Sequence, residues 1–483
     1  MNCGRAAALS LLVGASTACS FAPAYKTPAS APPASAFKES GEWQLAQPVD
    51  DQDRGHWWRI FKDSNLDLLE ARVGDANQDL KAAFARLQQA RAATRVARAD
   101  LFPALTTGSS ATRSRTSMNS PRFPASARAI DNDFNVQADL SYELDVWGRV
   151  RNALSSARAS EQANAADLAS LDLAIRAELA TDYFTLRAQD AEQILLDQTV
   201  EDYILSLRLT QNLYNGGGAA LFDVVQAQAQ LETARTQSAD IRLQRAQSEH
   251  AIAVLVGENP SEFHLAPNPL STNEAPPAID AGLPSALLER RPDVAGAERR
   301  VAAANAQIGV ARAAYFPVFS LAAAAGFEST STSTWLTAPS RLWSLGPSAL
   351  LTVFDAGRRR ALTEQARGQY DELVAGYRNT VLGAYQEVED NLAAIRQLQQ
   401  ESVSEAAAVV ATLEALQQAQ YRYKAGLVTY LEVAINENTS LQAQLSSVTI
   451  QLRRMNASVL LVKALGGGWQ AESLTAFTKE TRP

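Results

Sequence analysis

The stretch Tyr423-Lys424-Ala425-Gly426-Leu427-Val428-Thr429-Tyr430-Leu431-Glu432-Val433 has an earlier twin, Tyr214-Asn215-Gly216-Gly217-Gly218-Ala219-Ala220-Leu221-Phe222-Asp223-Val224, which matches it without a gap. In each copy an aromatic, a glycine, an apolar pair and an acid-Val step interrupt two long tracts of helix-forming residues. Glycine adopts a left-handed conformation without steric cost, so each copy reads as the tip of a helix-turn-helix. The copies lie 209 residues apart, and Val256-Gly257 recurs as Leu465-Gly466 at the same shift. Further upstream, Leu101-Phe102-Pro103 recurs as Tyr315-Phe316-Pro317, and Asn77-Gln78-Asp79-Leu80 as Arg291-Pro292-Asp293-Val294, both 214 residues on. A repeat on this scale outweighs any single motif as evidence for architecture: the chain is one fold made of two copies.

Outward from the tips, no glycine or proline separates Gly148 from Gly216. A helix through that tract, at 1.5 Å per residue, is roughly 100 Å long. Leu168, Leu171, Ile175, Leu179, Tyr183 and Leu186 form a stripe along it. After the second tip, Leu441, Leu445, Val448, Leu452, Met455, Val459 and Val462 alternate in steps of four and three, the spacing of a coiled-coil seam or of a helix in a soluble bundle.

Between the shorter helical tract Asp79–Leu101 and Gly148 lies the clearest strand. Phe134, Val136, Ala138, Leu140, Tyr142, Leu144 and Val146 alternate with Asn135, Gln137, Asp139, Ser141, Glu143 and Asp145. An apolar face opposite a polar one over about thirteen residues suits a tilted membrane strand with lipid outside and water inside; the alternative is a strand covering a soluble core. The second copy, Trp343, Leu345, Pro347, Ala349, Leu351 and Val353, is less regular, and partner strands are expected near Leu105–Arg115 and Val318–Glu328. Four strands cannot close, and open edges are not tolerated in a bilayer, so several chains must share a barrel. Two would give about eight strands, and three about twelve, wide enough for a lumen.

The start of the chain reads as an export signal. Arg5 precedes the apolar run Ala6–Ala15, which ends in Ser16-Thr17-Ala18-Cys19, the context of a bacterial lipobox. Cys3 lies inside the signal, so Cys19 has no partner for a disulfide and reads as a site of covalent lipid. The expected organisation is a signal peptide over 1–18, a Pro-rich extended tether over 19–56, a first repeat over 57–257, a Pro-rich linker over 258–290, a second repeat over 291–466 and a tail over 467–483. A formal charge of −8 argues against a nucleic-acid partner. His56, His250 and His264 show no metal-ligand spacing, and Gly216-Gly217-Gly218 lacks the Gly-Lys-Ser/Thr of a phosphate loop. The expectation is a protein with no catalytic site, no metal and no cofactor beyond the lipid.

With Trp57-Trp58, Leu283-Pro284-Ser285, Arg290-Arg291-Pro292-Asp293, Ala297-Glu298, Tyr315-Phe316-Pro317, Phe354-Asp355-Ala356-Gly357 and Ala464-Leu465-Gly466-Gly467-Gly468-Trp469 in this order, the chain resembles outer-membrane efflux factors of the TolC/OprM type, in their lipoprotein (NodT-like) branch. The resemblance implies a mainly α fold with a membrane β-barrel, a homotrimer, and helices forming a tunnel across the periplasm. It also implies partners: a periplasmic adaptor (membrane fusion) protein and an inner-membrane pump, in a tripartite system. The tips Gly216, Gly217, Gly218, Gly426 and Leu427 then meet the adaptor. By position, Leu431 matches the leucine that narrows the closed pore, and Asp223 and Tyr423 match an acid and a tyrosine that tie neighbouring helices. Val428 stands where some members have an arginine, and Ile435 where an aspartate is usual. This puts closure more on apolar contact than on ion pairs and leaves the luminal charge at the tip to Glu432. Read from periodicity alone, Leu431 is equally a core residue facing another helix. The implied function is an exit duct for small toxic compounds. The alternatives are a duct for secreted proteins and, in another class, a lipid-anchored coiled-coil scaffold.

Overall fold

A computed structural model describes residues 20–30, 32, 34, 36–40, 55–119, 130–279 and 290–469. Cys19, the signal stretch, residues 280–289 and the tail from Ala471 lie outside the described residues. The duplication is visible in the elements. In the first copy a helix α1 (Ser64–Ala76) leads to α2 (Gln78–Ala99), β1 (Ala104–Arg115), β2 (Ile130–Leu144), α3 (Arg149–Asn215) and α4 (Leu221–Leu255). In the second, α5 (Pro292–Ala313), β3 (Val318–Ser329), β4 (Arg341–Leu350), α6 (Arg358–Lys424) and α7 (Tyr430–Ala464) follow. Equivalent helices have equal lengths: 22 residues in α2 and α5, 67 in α3 and α6, 35 in α4 and α7.

The chain divides into two compact units. One comprises Arg86–Asn164 and Gly296–Tyr377 with the stretch up to Ala29, and its centre is a four-stranded antiparallel sheet in the order β1-β2-β3-β4. The register places Leu140 between Leu105 on β1 and Ala323 on β3, and Ala323 opposite Leu345 on β4. Phe134, Val136, Ala138, Leu140, Tyr142 and Leu144 therefore share one face with Leu321, Phe327, Trp343 and Leu345, while Gln137 and Asp139 take the other. On this face Trp343 is 79% exposed and Leu345 is exposed as well, while Phe134 packs against Trp335. β1 and β4 are edges.

Val146 is not in the strand. Beyond Leu144 the backbone turns because the Asp145 carboxylate accepts from Val150 N and Arg151 N at 3.0 and 2.9 Å, capping α3, which fixes Val146 in the turn. Asp355 does the same for α6, accepting from Gly357 N and Arg359 N, so Leu351 and Val353 also fall outside β4. At this end of the sheet Trp147 donates to Pro317 O and stacks on Phe316, which in turn stacks on Phe21. The N-terminal stretch is extended, as its prolines suggest, yet it is pinned to α5. Asn305 donates to Pro23 O, Arg312 to Phe21 O and Tyr25 to Glu298, while Ser20 bonds Asn152 on α3.

The described residues of the other unit, Ser30–Ala85, Ala165–Ala295 and Arg378–Pro483, are mainly helical. Its core joins Trp57, Trp58 and Phe61 of a short 3-10 turn to Leu66, Leu69 and Val73 of α1, Leu179, Tyr183, Phe184 and Leu186 of α3, Ile252 of α4, and Val448, Met455 and Val459 of α7. Five of the seven seam residues of α7 are buried, Leu445 and Leu452 being half-buried. Each copy closes on itself by the same device. Asn77 donates to Leu255 O at 2.9 Å, and Arg291, its equivalent, donates to Ala464 O at 3.0 Å. Gly257 and Gly466 follow those carbonyls with positive φ. A Cβ on either would run into the backbone of Ala76 or Arg290 respectively, which explains why glycine recurs there.

Candidate functional site

The two tips share one backbone. At the first, Gly217 N donates to Tyr214 O and Gly218 N to Leu213 O; at the second, Gly426 N donates to Tyr423 O and Leu427 N to Arg422 O. These are paired Schellman bonds, and they need a left-handed residue between them: Gly217 has φ 78° and Gly426 φ 72°. Gly216, Gly217, Gly218, Gly426 and Leu427 are all exposed.

The side chains differ. In the second tip Tyr423 and Tyr430 pack edge to face, 5.6 Å apart, within an apolar cluster that includes Ala227, Ala419, Val433 and Ala434, with Leu207, Leu213 and Val428 against it. Tyr430 is 1% exposed; its equivalent in the first tip, Leu221, is 57% exposed, beside exposed Phe222 and Val225. Leu431 is 44% exposed and is not part of that cluster, so it is not a core residue of its own chain.

The sequence-expected polar residues sit close together but make other bonds. Asp223 accepts from Ala220 N at 3.2 Å, acting as a helix N-terminal acid, while the Tyr423 hydroxyl meets Thr210 Oγ1 at 3.4 Å. Within the chain Asp223 and Tyr423 are thus not bonded to each other. Burial raises the Tyr423 phenol, and the Asp223 charge adds to the rise. Glu432 accepts from Arg422 across the turn at 2.6 Å. Arg422 occupies the place of Leu213 in the first copy, so the bridge has no counterpart there.

Sequence reading missed a second polar group deeper in the same tip. The Glu437 side chain is 6% exposed and accepts from Ser206 Oγ at 3.0 Å; its other oxygen lies 3.3 Å from the Tyr430 hydroxyl. Tyr430 also lies 2.9 Å from Gln230 Oε1, and Gln230 Nε2 donates to Ala434 O at 3.0 Å. These residues tie α3, α4 and α7 together. The signal was there: Tyr430, Val433, Glu437 and Leu441 fall on one helical stripe, so Glu437 is an acid on a buried face. Among the described residues no group of three or more His, Cys, Asp or Glu could hold a metal ion, and no helix is long and apolar enough to cross a membrane.

A sheet with exposed apolar side chains, long helices and twinned tips are the parts of an outer-membrane channel. The family model described as "Outer membrane efflux protein" matches residues 70–258 and 283–467, and the chain belongs to that family. It is 34% identical over 461 residues to a probable efflux pump outer membrane protein, TtgC, of Pseudomonas putida, with 94% of each chain covered. It is 32% identical to the pyoverdine export outer membrane protein OpmQ of Pseudomonas aeruginosa, covering 92% of this chain and 94% of that one. Among solved structures, the outer-membrane channel OprN superposes with a TM-score of 0.85 at 31% identity, over 94% of this chain and all of the other. The protein is accordingly an outer-membrane efflux protein with a TolC-like channel fold.

Proposed function

We propose that three copies of the chain close one barrel and one helical tunnel, forming the exit duct of a tripartite pump that expels small toxic compounds. The four-stranded sheet carries this reading. Its apolar face exposes Trp343 and Leu345, and it has two open edges, β1 and β4, of 12 and 10 residues, close to the 9–11 that a tilted strand needs to cross a bilayer. Pairing β1 of one copy with β4 of the next satisfies both edges, and three sheets supply about twelve strands, enough for an aqueous lumen. Phe134, Val136, Ala138, Leu140, Tyr142 and Leu144 then face lipid.

Cys19 is the first residue of the mature chain and carries the lipid. The stretch that follows it is held by Phe21 stacked on Phe316 and by Ser20 bonded to Asn152. The tips face an adaptor protein, and Leu431 rings the closed pore. Relatives named for toluene, antibiotic and solvent efflux support small compounds as the cargo. Purified protein in a planar bilayer should give large single-channel conductance, and cross-linking should stop at the trimer; absent conductance would contradict the reading. Leu140→Arg should cost about 2–4 kcal/mol of assembly stability in membranes if it lies near the midplane, and Gln137→Arg little. Labelled palmitate should enter the wild type and not Cys19→Ser.

A further inference from the structure

The tip of the second copy contains one group that a passive gate does not need. Glu437 is a carboxyl on α7, buried between helices, and among the described residues no cation bears on it. From α3 it meets Ser206, with Tyr203 and Asp202 nearby. From α4 comes Gln230, from α6 Tyr423 stacked on Tyr430, and from α7 itself Tyr430. The tip cation Arg422 is taken by Glu432. Among the described residues the charge that bears on Glu437 is that of Asp202, which has the same sign.

The hydrogen bonds fix where the protons are. Gln230 Nε2 donates to Ala434 O, which orients the amide so that Oε1 faces the Tyr430 hydroxyl at 2.9 Å. That oxygen can only accept, so the phenol proton goes to Gln230. The Tyr430 oxygen is then left as an acceptor, 3.3 Å from Glu437 Oε2. Two acceptors facing each other in a buried site repel; the contact is a bond only if Glu437 carries the proton and donates it. Ser206 meanwhile donates to Oε1, which is the carbonyl oxygen of the neutral acid.

We propose that Glu437 is a proton-operated latch of the gate: neutral, it donates to Tyr430 and holds α7 against α3 and α4, and on losing its proton to water it releases the tip. The latch rests on the reading of the tips as the closed end of a channel. Its chemistry agrees with the site's electrostatics, since burial pushes the Glu437 carboxyl up to about 7 despite the bond from Ser206, which acts the other way. The sign follows from linkage. The closed tip holds the proton more tightly than an open tip with a solvated carboxyl. Closure is therefore fully favoured below the ordinary carboxyl range, is lost progressively as pH rises from there to about 7, and is constant above.

The test uses the full-length protein in planar bilayers, with resting conductance recorded across pH for the wild type and Glu437→Gln, which keeps a neutral donor towards Tyr430. Between about pH 5 and 7 the open-to-closed ratio of the wild type should rise by up to about tenfold per pH unit and then level, while Glu437→Gln stays at the low-pH value throughout. Equal pH profiles, or a flat wild type, overturn the latch. Should Glu437→Gln fail to assemble, Tyr430→Phe removes the acceptor oxygen and should leak at every pH with the slope lost; a retained wild-type slope overturns the latch. A channel whose gating ignores pH sinks the latch alone, whereas a protein that never conducts, even as Leu431→Ala, removes the channel reading and the latch with it.

Discussion

The two tips have the same backbone, bond for bond, and opposite surfaces. In the second, Tyr423 and Tyr430 are buried, Arg422 bridges to Glu432, and Glu437 joins three helices. In the first, the equivalents of Tyr430, Leu431 and Ala434 are Leu221, Phe222 and Val225, all exposed, and three consecutive glycines make the turn. Duplication kept the geometry, which depends on one left-handed glycine per turn, and freed the side chains for different work. The second tip is locked from within the chain. The first leaves its apolar residues exposed.

The difference can be broken at several points. The largest effect is expected from Tyr430→Ala, which empties a site that is 1% exposed and should cost about 3–5 kcal/mol of local stability. Leu221→Ala, at the same place in the first tip, should cost well under half of that, because the side chain is 57% exposed. Hydrogen exchange of α7 and α4 near the tips checks both. Similar losses at the two sites would erase the distinction. A smaller effect, equal in both tips, is expected where the backbone is shared: Gly217→Ala and Gly426→Ala each place a side chain at positive φ in open space and should cost about 1–2 kcal/mol. A cost confined to one copy would show that the shared turn is not what shapes both tips. The smallest effect concerns the bridge. Arg422 and Glu432 are both well exposed, so Glu432→Gln should change tip stability by less than about 1 kcal/mol, an effect that salt should screen further, measurable by hydrogen exchange at two ionic strengths.

Much of this architecture was legible in the chain itself because it rests on periodicity. The 209-residue shift announced the twin tips, and alternation along Phe134–Leu144 announced a two-faced strand. What was missed depended on contacts between segments. Val146 continues the alternation, but Asp145 is drawn off to cap α3, and a cap made by the next element ends a strand without changing its pattern. The Pro-rich start reads as a loose spacer by composition, yet Phe21, Pro23 and Tyr25 each find a partner on or beside α5. The pairing of Glu432 has no sequence signal, because its partner Arg422 lies ten residues back, across a turn that brings the two together. Glu437 was passed over because one acid in a helical stripe carries no period of its own.

The claim that the second tip, and not its twin, closes the pore is tested most directly by resting conductance of Leu431→Ala and Phe222→Ala trimers in planar bilayers. The two positions are equivalent by the repeat, and both side chains are exposed in the single chain. An apolar ring narrow enough to stay dry blocks ions, so widening it admits them. Leu431→Ala should raise resting conductance and Phe222→Ala should leave it at the wild-type level. Equal rises in both variants, or a rise with Phe222→Ala alone, would contradict the account.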